Sequence, residues 1–256
     1  MAITAIPYII ERDFKRFFRY KWWLAGMISM NLADLFIMAL VYTKMIKFDY
    51  FKFFAPGITV TALFAAAFMI GREVNWEVRR DYYYYLLSLP VEHWELALGR
   101  VLSGALRGMV YMFPLLLIDF AFLGVPPPLE VLIIFLMLFL LSLGISGLSI
   151  MIAVSTNSFE KFAVMRGVTY YVLFFCSTVF YPLDLIKSIS EQGIIPPFLA
   201  VLAEVNPLSN AADLIRSFLL ANPPFNITLI IPIITFSLPI TLVSSLAYAK
   251  ILRRQR

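Results

Sequence analysis

Unbroken apolar runs recur along this chain at about 22–43, 53–70, 101–124, 129–154, 164–182 and 227–249, each set off by a polar connection. Hydrocarbon about 30 Å thick requires roughly 20 apolar residues in a spanning helix. The runs match that length, and none shows the roughly ten-residue alternation of a membrane barrel strand. The pattern predicts an all-α integral membrane protein with six transmembrane helices in a single domain over residues 1–256.

Two further stretches have a pattern of their own. From about Pro7 to Tyr20, Ile10, Phe14 and Phe17 line one helical face, while Arg12, Lys15, Arg16 and Arg19 gather on the other. Such a helix lies in a headgroup layer; a plain charged flank before the first span is the alternative. The same basic residues interrupt any apolar core, so residues 1–21 are expected not to be a cleavable signal peptide. Residues 183–225 form the second stretch. Ile194–Val205 is apolar but short and broken by Pro196-Pro197, and Asn206-Pro207 then reads as an N-cap and first helical residue. Leu208, Ala212, Ile215 and Leu219 follow at helical spacing, beside Asp213 and Arg216. The prediction is an outer re-entrant helical hairpin between spans five and six; an additional pair of spans is the alternative.

Residues 71–100 are a polar island with Arg72, Arg79, Arg80 and Arg100 and four glutamates. Asp81 is placed to cap a short helix, Tyr82–Leu89, that Pro90 halts. Composition sharpens this picture: 61% of residues are hydrophobic and 14% charged, too few polar groups to cover a soluble core of 256 residues. With both termini placed in the cytoplasm, fifteen lysines and arginines fall inside and five outside, with Arg107 in a span. That bias puts the termini and the island on the cytoplasmic side of the cell membrane. It also accounts for the net charge of +5 without any nucleic-acid partner.

Candidate chemistry is sparse. His93 is the sole histidine and Cys176 the sole cysteine, so no histidine-rich metal site is expected. No glycine precedes a lysine, so there is no phosphate-binding P-loop and any ATP must be bound by another chain. Glu73 and Glu77 share a helix face, with Arg80 in reach of Glu77, which reads as a salt-bridged helix and not an acid–base pair. Asp34, Arg107 and Asp119 are charges within spans, where burial is costly. Either Asp34 pairs with Arg107, within or between subunits, or Arg107 snorkels to the surface while Asp34 faces a polar seam. Small residues at helical spacing, including Gly104 and Gly108 and the serines Ser142, Ser146 and Ser149, allow close helix approach within one subunit or between two.

Several of these segments resemble one family. YFKFFAPG at Tyr50–Gly57, the island's RE, RR, LLSLPV and LGR elements, FYPL at Phe180–Leu183 and NPLSNAADLIR at Asn206–Arg216 are similar to the permease subunits of type-2 ABC exporters over nearly the whole chain. The chain departs from that pattern at Val78-Arg79, where glycine-threonine is frequent, and at Arg100, where lysine is commoner; both read as surface changes. The resemblance implies a membrane permease that forms a homodimer with a second copy, or sometimes a heterodimer, and joins two ABC ATPase subunits, which bind the ATP and magnesium. It makes the N-terminal helix an interface helix and Tyr82–Leu89 the coupling helix, with Glu77, Arg80, Leu86, Leu87 and Pro90 as coupling residues. Asp34, Phe174, Phe175, Phe180 and Tyr181 become the expected substrate path or gate. A secondary carrier or channel working without ATP is the alternative function.

Overall fold

A computed structural model describes residues 5–19, 21–43, 49–79, 91–221 and 223–254. Among these all regular structure is helical, with α1 (Ala5–Arg19), α2 (Lys21–Thr43), α3 (Tyr50–Phe68), α4 (Ile70–Arg79), α5 (His93–Leu123), α6 (Pro128–Ser155) and α7 (Phe159–Phe175), followed by α8 (Leu183–Glu191), α9 (Pro197–Val205), α10 (Pro207–Leu220), a 3₁₀ turn at Ile227–Leu229 and α11 (Ile230–Arg254).

Four of the described helical stretches are long and apolar enough to cross a bilayer: Tyr50–Arg79, His93–Leu123, Pro128–Ser155 and Ile227–Arg253. The expected runs at 53–70, 101–124, 129–154 and 227–249 fall on them. The run at 22–43 falls on α2, whose apolar stretch is Leu24–Met38. The run at 164–182 is corrected: the helix begins at Phe159 and stops at Phe175, and turns follow. α9 and α10 form a pair bent by 61°.

The core is built around α3, buried at nearly every position from Phe54 to Phe68. Its crowding is relieved by small residues on its neighbours. A Cβ on Gly104 would strike the Ser146 hydroxyl and Ile70, and one on Gly108 would strike the Ser142 hydroxyl and Ala67. The two hydroxyls lie in those gaps because they donate to the α5 carbonyls of Val101 (2.9 Å) and Ala105 (2.8 Å). The small-residue stripes of α5 and α6 thus pack against each other inside one chain. Ser149 does something different. Its hydroxyl donates to the Phe68 carbonyl and accepts from the Gly71 amide, so it inserts into the backbone ladder where α3 gives way to α4.

Candidate functional site

At the end of the bundle where α4 finishes and α5 begins, α1 lies across both. Its buried face is Ile6, Ile9, Asp13 and Phe17, a three-then-four spacing that forms one stripe. The sequence pattern pointed to Ile10, Phe14 and Phe17 instead; the helix is rolled so that Asp13 faces inward and Ile10 and Phe14 stand at the margin. Gly99 on α5 makes room for it, since a Cβ there would sit 3.0 Å from Ile9.

A buried carboxylate needs a partner, and α5 supplies two arginines. Arg100 and Arg107 are about two turns apart and share a face. Arg100 Nη1 lies 2.7 Å from Asp13 Oδ2, and its other terminal nitrogen meets Glu77 on α4. Arg107 forks onto Glu73 at 2.6 and 3.2 Å and also donates to the Asp13 carbonyl at 2.9 Å. Both arginine side chains are at most 1% exposed. At the rim, Arg12 pairs with Asp13 at 3.0 Å and Arg16 with Glu77 at 3.2 Å. The result is a knot of three carboxylates and four guanidiniums that ties α1, α4 and α5 together. Planar guanidinium forks suit this role because each can hold two acids at once. Burial works to raise the Asp13 carboxyl, but the charges of Arg100, Arg12 and Arg107 outweigh it and hold it below the usual carboxylate range.

The knot revises several expectations. Arg107 closes on Glu73 and the Asp13 backbone, not on Asp34, which is exposed on α2. Nor does Arg107 snorkel, because α4 brings an acid to its depth. Glu77 is held by Arg100 and Arg16. Arg100 is no surface substitution; it is fully buried at the centre of the knot. Arg80, Leu86, Leu87, Pro90 and the helix expected at Tyr82–Leu89 lie outside the described residues. Their flanks are well tethered. Arg79 donates to Asn75 (3.0 Å) and to the carbonyls of Thr156 (3.0 Å) and Asn157 (3.2 Å), fastening α4 to the end of α6. At the return, Glu92 and Glu95 form a capping box that starts α5.

The opposite end of the bundle holds the aromatic residues expected to line a path. Phe180 is their centre, with ring centroids 5.0 Å from Phe174, 5.6 Å from Phe54 and 6.2 Å from both Phe175 and Tyr181. Phe175 and Tyr181 turn about half their surface outward. Asp119 is buried and accepts from Thr59 at 2.6 Å. The residue that organises this end is Arg216, which the charge count places on the outer side in a half-buried helix. It is wholly buried, ion-pairs with Asp213 at 2.7 Å and donates to the carbonyls of Phe53, Thr178 and Val179. Asn206 caps α10 by accepting from Leu208 and donates to the carbonyls of Leu173 and Cys176. An i,i+3 acid–arginine pair inside an asparagine-capped apolar helix was the available signal for this cluster.

Among the described residues no three histidine, cysteine, aspartate or glutamate side chains are grouped to hold a metal ion. The arrangement offers mechanical linkage at one end and an aromatic surface at the other. Residues 4–220 match the family model described as ABC-2 type transporter. Over 209 residues the chain is 23% identical to the daunorubicin resistance ABC transporter permease protein of Streptomyces coeruleorubidus, a match covering 74% of this chain and 69% of that protein.

Proposed function

The chain belongs to the ABC-2 type transporter family, and we propose on that premise that it is the permease of an ATP-driven exporter whose energy comes from separate ATPase chains. A multi-pass membrane subunit of an ABC transporter carries no phosphate loop of its own here, so ATP and magnesium belong to the partner. α2 and α7 complete six spans with the four long apolar stretches, and α9 and α10 form the re-entrant hairpin. Both termini and residues 80–92 face the cytoplasm.

The charge knot carries this reading. Residues 80–92 leave from α4 and return into α5, and the knot holds both of those helices to α1. A push on that segment reaches three helices as one body, because packed interiors transmit strain. Leu86 and Leu87, between Asp81 and Pro90, are the apolar contacts we assign to a groove on the ATPase. Glu77 anchors the lever, while Arg80 and Pro90 bound its moving part. At the far end the lever moves the Phe174, Phe175, Phe180 and Tyr181 surface that lines the substrate path, with Asp34 on the neighbouring α2.

A second copy completes the path. Val164, Val168, Tyr171 and Phe175 form an outward stripe along α7, each more than half exposed, and we assign that stripe to the seam between two permeases. The test is co-purification. Leu86→Asp combined with Leu87→Asp should remove a P-loop ATPase that accompanies the unaltered chain, and should abolish ATP-dependent efflux. Unchanged efflux from the double variant, or from cells without the ATPase, would overturn the reading in favour of a carrier.

A further inference from the structure

Asp34 is a charge that the chain itself leaves unanswered. It stands about 20 Å along α2 from Lys21, it is exposed, and among the described residues it has no ion-pair or hydrogen-bond partner. Met30, Ile37 and Val41, at helical spacing around it, are apolar and more than half exposed. A carboxylate at that depth is costly in hydrocarbon, so it faces a cation or a water-filled path. Among the described residues no cation is placed to meet it. Arg100 and Arg107 are closed on Asp13, Glu77 and Glu73. Arg216 is closed on Asp213 and three carbonyls. Arg72 on α4 and Arg166 on α7 each lie about 10 Å from the cytoplasmic end of their helices, roughly 10 Å short of the level of Asp34. The lysines of α2, α3, α7 and α11 stand at or near helix ends. A second copy brings the same side chains and so supplies no cation at that depth either.

The same depth carries aromatic surface. Tyr171 stands about 18 Å along α7 from Phe159, level with Asp34, and it stacks on Phe175 at 5.8 Å. Tyr171, Phe175 and Tyr181 turn between 49% and 60% of their surface outward. A phenol can donate a hydrogen bond to a carboxylate but leaves its charge unopposed. Ring faces attract cations, and a carboxylate attracts them more strongly where water is scarce. An anion meets repulsion here, and a neutral solute leaves Asp34 uncompensated. We propose that Asp34 makes the substrate path selective for lipophilic cations, its carboxylate meeting the positive charge while the faces of Tyr171, Phe175 and Tyr181 take up the apolar substituents. The assignment rests on the reading above that Asp34 and these rings line one path between two copies. It requires no ATPase.

In the experiment, the purified full-length chain in neutral detergent is dialysed to equilibrium against tetraphenylphosphonium or tetraphenylborate. The two ions share a shape and differ in the sign of their charge. The saturable part of the binding should favour the phosphonium by about tenfold or more, as one nearby carboxylate in a partly dry site requires. Asp34→Asn should erase that preference and Asp34→Glu should retain it, while Glu191→Gln on α8 should leave it unchanged. Asp34 is exposed, so neither substitution there disturbs packing within the chain; if Asp34→Asn nonetheless elutes as an aggregate, Asp34→Ser is read in its place. No saturable phosphonium binding, equal binding of the two ions, or a preference that survives loss of the carboxylate overturns the proposal. Because no ATPase is present, failure here leaves the permease reading standing, and loss of co-purification in the Leu86 and Leu87 variant leaves this one standing.

Discussion

Arg100 has no water to turn to if its partners are removed. Replacing it with glutamine leaves Asp13 and Glu77 buried and facing an uncharged group, a change that costs about 3–5 kcal/mol in comparable buried pairs. We expect Arg100→Gln to lower the thermal midpoint of the purified chain sharply. Arg100→Lys should recover only part of the loss, since an ammonium cannot fork between two helices. Asp13 adds a pH dependence of definite sign. Its carboxyl is depressed by Arg100, Arg12 and Arg107 acting against burial. Its stabilising contribution is therefore fully present above the ordinary carboxylate pKa and is lost as pH falls through the lower folded value. Hydrogen exchange of the α1 amides, corrected for intrinsic rates, should show unchanged protection from neutrality down to about pH 5 and rise only in stronger acid. With Asp13→Asn the protection should be weak throughout. The charged residues of this knot were all visible in the sequence, but their partners were not. Both Ile10–Phe14–Phe17 and Ile6–Ile9–Phe17 make a passable apolar stripe, and the roll that selects between them is decided by Gly99 and Arg100 on a distant helix.

At the scale of elements, the contact between α5 and α6 is set by backbone proximity more than by side-chain bulk. A methyl group on Gly104 already collides with the Ser146 hydroxyl, so Gly104→Val should destabilise the chain by about 1–3 kcal/mol, as overpacking of interiors does. Combining it with Ser146→Gly should restore part of that loss. Full additivity of the two changes, measured by unfolding in detergent, would show that the helices do not meet there. Helix positions were largely legible because apolar runs of bilayer length have few alternative explanations. The start of α10 was legible too, since Asn206-Pro207 is a local signal and the asparagine caps as expected. The end of α7 was not. Nothing apolar ceases at Phe175; the helix stops where Asn206 and Arg216 come in from elsewhere in the chain to take the carbonyls of the following turns.

The whole molecule exposes more apolar surface along α7 than its own packing uses. Single cysteines at Val168 or Tyr171, in a chain carrying Cys176→Ser, should cross-link two copies in intact membranes, whereas a cysteine at Leu246 on α11 should not. Cross-linking at Leu246 with none on α7 would move the seam to the other side of the bundle. The division between a charged, rigid end and an aromatic, half-open end was foreshadowed by the polar island and by the phenylalanine content. What composition could not foretell is that both ends bury arginines, Arg100 and Arg107 at one and Arg216 at the other.

The two side chains that finish α7 also impose an order on its making. The carbonyl of Cys176 is satisfied by Asn206, 30 residues further along the chain, and those of Thr178 and Val179 by Arg216. In hydrocarbon, each of these oxygens left alone costs several kcal/mol. A nascent chain that has emerged only as far as α8 therefore holds α7 with an unfinished end, one that must stay near the insertion machinery or remain in the headgroup layer. Settlement of that end of α7 waits for translation of α10, so the aromatic end of the molecule matures late and as one unit.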